Sequence, residues 1–281
     1  MGQKDISEKL LEDYNDVFAD IVNVLFFHGE RRVKPESLED SKLKSQYKAD
    51  DGKLHEQERD VMKYWKEGKI RLAVYGLENQ TVIDEQMPVR IFGYEGANYR
   101  SQYGNEQIVP VVTAVLHFGT QKQWDKPFTL KELMSIPDGL QSYVNDCHMN
   151  VVDVAWLTDE QVNQFESDFG IVANFFVNKR KNPKYVPDDE REFKHVDAVL
   201  KFLGAMTGDK EYENLLTNPN FRKEGANMCS VVQNLKAEGR AEERLDAIRN
   251  MIELGLTREQ ILKKYSEEEY EKAEKTLPIK S

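Results

Sequence analysis

The apolar positions change period along the chain, and each change predicts an element. From Ser7 to Phe27 they fall at Leu10, Leu11, Tyr14, Val17, Phe18, Ile21, Val22 and Leu25, which is one helix face, with Ser7 as N-cap and Gly29 as the stop. From Glu30 to Gln57 no period holds; Pro35, the acidic cluster Glu36 to Asp40 and the turn Asp50-Asp51-Gly52 read as connecting loop. Asp60 to Trp65 and Ile70 to Leu77 are short runs of branched and aromatic residues on either side of Gly68, the pattern of a β-hairpin. A second helix, from Ile83 or Asp84 to Tyr103, has Met87, Ile91, Tyr94 and Ala97 on its buried side and tolerates Pro88 only in its first turn.

Ile108 to Phe118 is apolar on both faces, as a central strand covered by helices on each side should be. Asn150 to Trp156 reads as another strand, and Thr158 to Gln161 as a capping box opening the helices that run to Asn178. Between these strands, Trp124 to Asn145 carries Pro127 and Pro137 and a short helix at Thr129 to Ser135, a surface excursion. The basic cluster Lys179 to Lys184, broken by Pro183, marks a boundary between a domain over 1–178 and a helical region over 179–281. That region is expected to pack loosely, with helices at Glu192 to Met206 and Glu211 to Leu216. Further on, Gly255 is a stop, and Thr257 to Gln260 and Ser266 to Glu269 are starts.

Composition narrows the function classes. With 39 basic and 50 acidic residues, the formal charge of −11 argues against a protein held to DNA by general electrostatics. Any phosphate contact must come from a local patch or a bound cation. Cys147 and Cys229 have no metal-ligand spacing, so neither a disulfide framework nor a zinc site is expected. The amino-terminal segment lacks a basic start followed by an apolar core, and no long apolar run occurs, so a soluble, cytoplasmic protein with no membrane partner is expected.

One constellation in the hairpin carries chemistry. Asp60 opens its first strand, and Glu78 and Gln80 close its second. Strand side chains alternate, so Glu78 and Gln80 share a face and Asn79 points away. Two carboxylates on paired strands can hold Mg²⁺ or Mn²⁺, hard cations that take oxygen ligands and keep waters for a phosphate. Gln80 then stands where it can orient a water.

The surrounding wording is more specific than these residue types. Glu58-Arg59-Asp60-Val61, Tyr75-Gly76-Leu77-Glu78-Asn79-Gln80-Thr81, Asp84 and Met87-Pro88-Val89-Arg90 resemble the Rpn-type recombination-promoting nuclease and putative transposase family of the PD-(D/E)XK nuclease superfamily, over roughly Asn15 to Val177. The resemblance implies an α/β fold, a PD-(D/E)XK nuclease-like core with a mixed sheet flanked by helices, followed by a C-terminal helical appendage. It implies a metal-dependent DNA endonuclease with Asp60 and Glu78 as metal ligands and Asp60, Glu78 and Gln80 as catalytic residues. Glutamine stands where that superfamily usually has lysine. It also implies that Arg90 and Tyr94 look toward the site. It raises the acidic residues of the first helix, Asp16 and Asp20, as neighbours of the metal, although a solvated helix face is the favoured explanation of their spacing. Lys236 to Arg244 resembles the Glu-Gly-Arg repeats of the family, and the helical tail is where a second copy of the chain could join. The alternative is a protein that keeps the nuclease fold without turnover and acts as a DNA- or protein-binding regulator; the net charge and Gln80 point that way.

Overall fold

The computed structural model describes residues 11–41, 45–48, 54–57 and 60–277; Ser7, Glu58 and Arg59 lie outside the described residues. Helix α1 spans Asn15–Phe27 and buries Val17, Phe18, Ile21 and Val22. It does not continue the helical residues Leu11 and Glu12 without a break, as the apolar spacing predicts, because a turn intervenes and Tyr14 is extended at φ −71° and ψ 125°. At its other end His28 (φ 52°) and Gly29 (φ 88°) both adopt left-handed backbone, so the helix stops where glycine predicts.

The segment read as loop holds three strands. β1 (Leu38–Asp40) is an edge strand of the main sheet, and β2 (Ser45–Lys48) pairs with β3 (Leu54–Gln57) as a separate hairpin. Three residues are too few to show a period, and what fixes β1 is nonlocal. It runs antiparallel to β4 (Val61–Glu67), with Leu38 opposite Trp65 and Asp40 opposite Lys63. Lys63, only 1% exposed, pairs with Asp40 and donates to the Asp13 carbonyl at 2.9 Å. A buried ammonium needs such partners.

β4 and β5 (Ile70–Gln80) form the expected antiparallel hairpin around Gly68, whose φ of 60° suits glycine. Helix α2 (Met87–Ser101) follows, with Pro88 in its first turn, and leads into β6 (Val111–His117), parallel to β5. β7 (Asn150–Asp153) is parallel to β6 and gives way to a single 3₁₀ turn at Val154–Trp156, so the strand is shorter than its apolar run suggests. The sheet order is β1-β4-β5-β6-β7; β6 is interior, but β5 holds the centre.

One sheet face presents Tyr75, Leu77, Ala114, Leu116 and Phe118 to α1 and to α4 (Phe169–Lys181), which follows the capped turn α3 (Asp159–Val162). The other presents Val115 to Met87, Ile91 and Tyr94 of α2, with Trp124 and Met149 closing that cluster. Between β6 and β7 the short helix expected at Thr129 to Ser135 is one 3₁₀ turn, Lys131–Leu133.

The boundary read at residue 178 falls inside α4, and the main core continues beyond it. Helix α5 (Val196–Thr207) contributes Val199, Leu200, Phe202 and Leu203, and the short α6 (Glu211–Asn214) contributes Tyr212. Phe118 of the sheet meets Phe176 and Phe202 with ring centroids at 5.1 and 5.3 Å. Helix α7 (Met228–Glu253) joins this core through Met228 and Val231. Its far end forms a second cluster with α8 (Arg258–Leu262) and α9 (Glu267–Lys275), built on Ile248, Ile261, Tyr265, Tyr270 and Ala273. The Lys236 to Arg244 stretch lies between these clusters within one continuous helix. Thr257 and Ser266 cap α8 and α9 as their sequence predicts.

Candidate active site at the carboxyl ends of the parallel strands

The hairpin register brings the predicted residues together. Val61 pairs with Leu77, and continuing that antiparallel register by one residue sets Asp60 opposite Glu78. Asp60 Oδ2 accepts the backbone N–H of Asn79 at 2.7 Å, which ties it to β5 beside the glutamate. The alternation holds: Asn79 turns to the α1 side, where its amide donates to the buried Glu12 carboxylate at 2.7 Å. Gln80 shares the Glu78 face and is half-buried.

Glu78 is 1% exposed, and its Oε1 is paired with the guanidinium of Arg90 from α2. Arg90 also donates to Asp84 Oδ2 at 3.2 Å and to the Tyr94 hydroxyl at 3.4 Å. Burial works against the Arg90 charge, but Glu78 beside it, with Tyr94 and Asp84, holds its pKa above the ordinary arginine value. Tyr94 is pushed up to about 12, first by burial and then by Glu78; Arg90 opposes this, and Asp60 adds to the rise. Both carboxylates therefore act on the same phenol. Arg90 and Tyr94 do look toward the site, as the resemblance implies.

Asp16 and Asp20 have other work. Asp20 accepts the backbone N–H groups of Glu166 and Ser167 at 2.9 and 2.7 Å and pairs with Arg31 at 2.5 Å, pinning the start of α4 to α1. Asp16 pairs with Lys194 at 2.6 Å and with His195 Nε2 at 3.0 Å; burial opposes its charge, but these partners hold its pKa below the usual carboxylate value.

The sequence reading misses one pair on the site's own face. In the register Gln80↔His117 and His117↔Asp153, a row of polar side chains crosses three parallel strands at their carboxyl ends. His117 Nδ1 lies 2.7 Å from Asp153 Oδ1, and the Trp124 backbone N–H donates to that same oxygen at 2.9 Å. Neither residue stands out in the sequence, because each ends an apolar strand and 36 positions separate them.

The donor set suits a hard cation: two carboxylates and an amide oxygen. Among the described residues no group of three or more His, Cys, Asp or Glu side chains is arranged to hold a metal. Mg²⁺ commonly takes one or two protein carboxylates and fills its shell with water and phosphate, so Asp60 and Glu78 fit that chemistry.

Helix, strand, antiparallel hairpin, helix and parallel strand, with a carboxylate pair at the hairpin end, define a PD-(D/E)XK nuclease-like core. Residues 51–176 match the family described as putative transposase, YhgA-like, which is of the PD-(D/E)XK type. The match runs from the β2–β3 hairpin into α4 and contains every residue of the candidate site. No curated protein and no solved structure matches the chain. The family points to DNA as partner and to a role linked to mobile elements. No helix among the described residues is long and apolar enough to cross a membrane.

Proposed function

We propose that this domain is a metal-dependent DNA endonuclease that hydrolyses phosphodiester bonds. The observation that carries the reading is the register that sets Asp60 opposite Glu78, with Gln80 on the same face and Asn79 turned away. Asp60 and Glu78 would hold Mg²⁺ or Mn²⁺. The cation, when bound, would neutralise charge on the phosphoryl group and make a water easier to deprotonate. The other steps belong to the chain. The Asn79 N–H restrains Asp60 so that its carboxylate is set before substrate arrives. The Gln80 amide can hold a water by donating or accepting, but it cannot take a proton at neutral pH. Arg90 neutralises Glu78 and, being a third exposed, can also reach a phosphate, for which a guanidinium fork is well shaped.

A fold retained for binding alone is the second reading, favoured by the Arg90–Glu78 pair, which offsets the glutamate's charge without a metal ion. Incubation of the purified full chain with supercoiled DNA and Mg²⁺ or Mn²⁺ decides between them. The nuclease reading expects nicking that Asp60→Ala abolishes, together with Mn²⁺ binding in calorimetry that the same substitution removes. Gln80→Lys, a cation beside the attacking water, should cut at least as well as the wild type. If neither protein cuts supercoiled, linear or single-stranded DNA with either metal, the endonuclease reading falls.

A further inference from the structure

The nuclease reading leaves one task unassigned, since none of Asp60, Glu78 or Gln80 is suited to accept the proton of the attacking water. Two of them would be metal ligands and the third is an amide. The row that Gln80 begins continues on the neighbouring strand into His117.

His117 is oriented by two contacts. Its Nδ1 faces Asp153 Oδ1 at 2.7 Å, and that oxygen also receives the Trp124 backbone N–H at 2.9 Å. The Trp124 ring stands edge-on to the imidazole with centroids 5.6 Å apart. An oxygen that accepts the Trp124 N–H is an acceptor toward the ring as well, so the Nδ1 proton is the one it binds and Nε2 keeps its lone pair. Nε2 faces Gly119, where an added Cβ would lie 2.4 Å from it, and glycine leaves room for the ring tip. The ring is 2% exposed and forms part of the wall of a cleft of about 460 Å³ at the carboxyl ends of β5 and β6, with Thr81, Thr120, Lys122 and Lys179 among its other walls. Ligands in open α/β sheets commonly sit outside that edge.

Among the described residues, charged groups come to the ring's surroundings from several elements. Asp153 comes from β7, Lys122 from the following loop with its partner Asp125 at 2.7 Å, and Lys179 from α4 across the cleft. On the same sheet face, Glu78 lies one strand over with Arg90, and Asp60 lies beyond it.

We propose that His117, held by Asp153, is the proton acceptor for phosphodiester hydrolysis at this site, with the substrate strand lying along the cleft between Lys122 and Lys179. The inference rests on the nuclease reading. The water O–H bond breaks and its proton passes to Nε2, while its oxygen forms the new P–O bond. The opposite P–O bond breaks, and the sugar oxygen leaves with its electron pair and takes a proton from solvent. His117 then returns its own proton to solvent.

The test is the pH dependence of nicking of supercoiled DNA by the full chain with Mn²⁺. The wild-type rate should rise with pH through a limb that depends on His117. His117→Gln should slow cutting about 100-fold and remove that limb, while Mn²⁺ binding to Asp60 and Glu78 persists in calorimetry. Asp153→Asn should also slow cutting, because Nδ1 loses the carboxylate that holds the ring in place. A His117→Gln protein with the wild-type rate and profile overturns the assignment. So does one that loses Mn²⁺ binding along with activity, since that marks a structural role. If His117→Gln does not fold, a wild-type rate that does not rise with pH overturns it alone. A wild type that never cuts overturns the nuclease reading itself, whereas one that cuts regardless of His117 overturns only this step.

Discussion

Arg90 reaches from the second turn of α2 to Glu78 near the end of β5, so the buried carboxylate of the site is neutralised by the protein's own cation. The pair is unequal: Glu78 is 1% exposed and Arg90 33%. Removing the guanidinium would leave a buried charge with much of its compensation gone. Arg90→Ala should therefore destabilise the fold by about 3 kcal/mol, toward the lower end for buried pairs because solvent reaches the arginine. Mn²⁺ should then raise the melting temperature more than it does in wild type, since the cation takes over the neutralisation. Equal Mn²⁺ shifts in the two proteins would separate Glu78 from the metal.

Asp20 makes an opposite prediction. Its carboxylate joins Arg31 and two backbone N–H groups at the start of α4, away from Asp60 and Glu78. Asp20→Ala should cost about 3 kcal/mol through lost charge-assisted hydrogen bonds and two orphaned donors. Mn²⁺ binding, followed by calorimetry under conditions where the variant is folded, should not change. Weakened binding would return the first helix to the metal site.

The tyrosines predict an alkaline limit. Burial, first among the causes, pushes Tyr94 and Tyr212 up to about 12. An unfolded tyrosine ionises near about 10, so each folded phenol holds its proton across that interval. The stability this contributes is fully present below about pH 10 and is lost as the pH rises toward 12. Unfolding followed by circular dichroism should show a steep loss in that window, and Tyr94→Phe should lessen its slope.

Phe202 tests how far the core extends. It is fully buried on α5, beyond residue 178, and its ring packs on Phe118 of the sheet. Phe202→Ala should cost about 3–5 kcal/mol and move the whole unfolding transition rather than a separate one. A fragment of residues 1–178 should aggregate, while one continued past Val231 should fold. A soluble, cooperatively unfolding 1–178 fragment would restore the sequence-drawn boundary.

Local rules made much of this protein legible. The period-two runs about Gly68 determined the hairpin, and strand alternation put Glu78 and Gln80 on one face and Asn79 on the other. Pro88 in the first turn of α2 and the caps at Thr158, Thr257 and Ser266 follow from backbone chemistry acting over four residues. The family wording around Glu78 carried the fold class. What tertiary structure alone decided are partnerships across long separations. The β1–β4 pairing buries Lys63 against Asp40; parallel register aligns Gln80, His117 and Asp153; α2 brings Arg90 to Glu78; and the sheet's apolar face recruits α5. The physical reason is that alternation and capping are set by neighbouring dihedral angles. The register between parallel strands and the helix that covers a face are instead set by how the whole core closes, and no spacing in the chain encodes either.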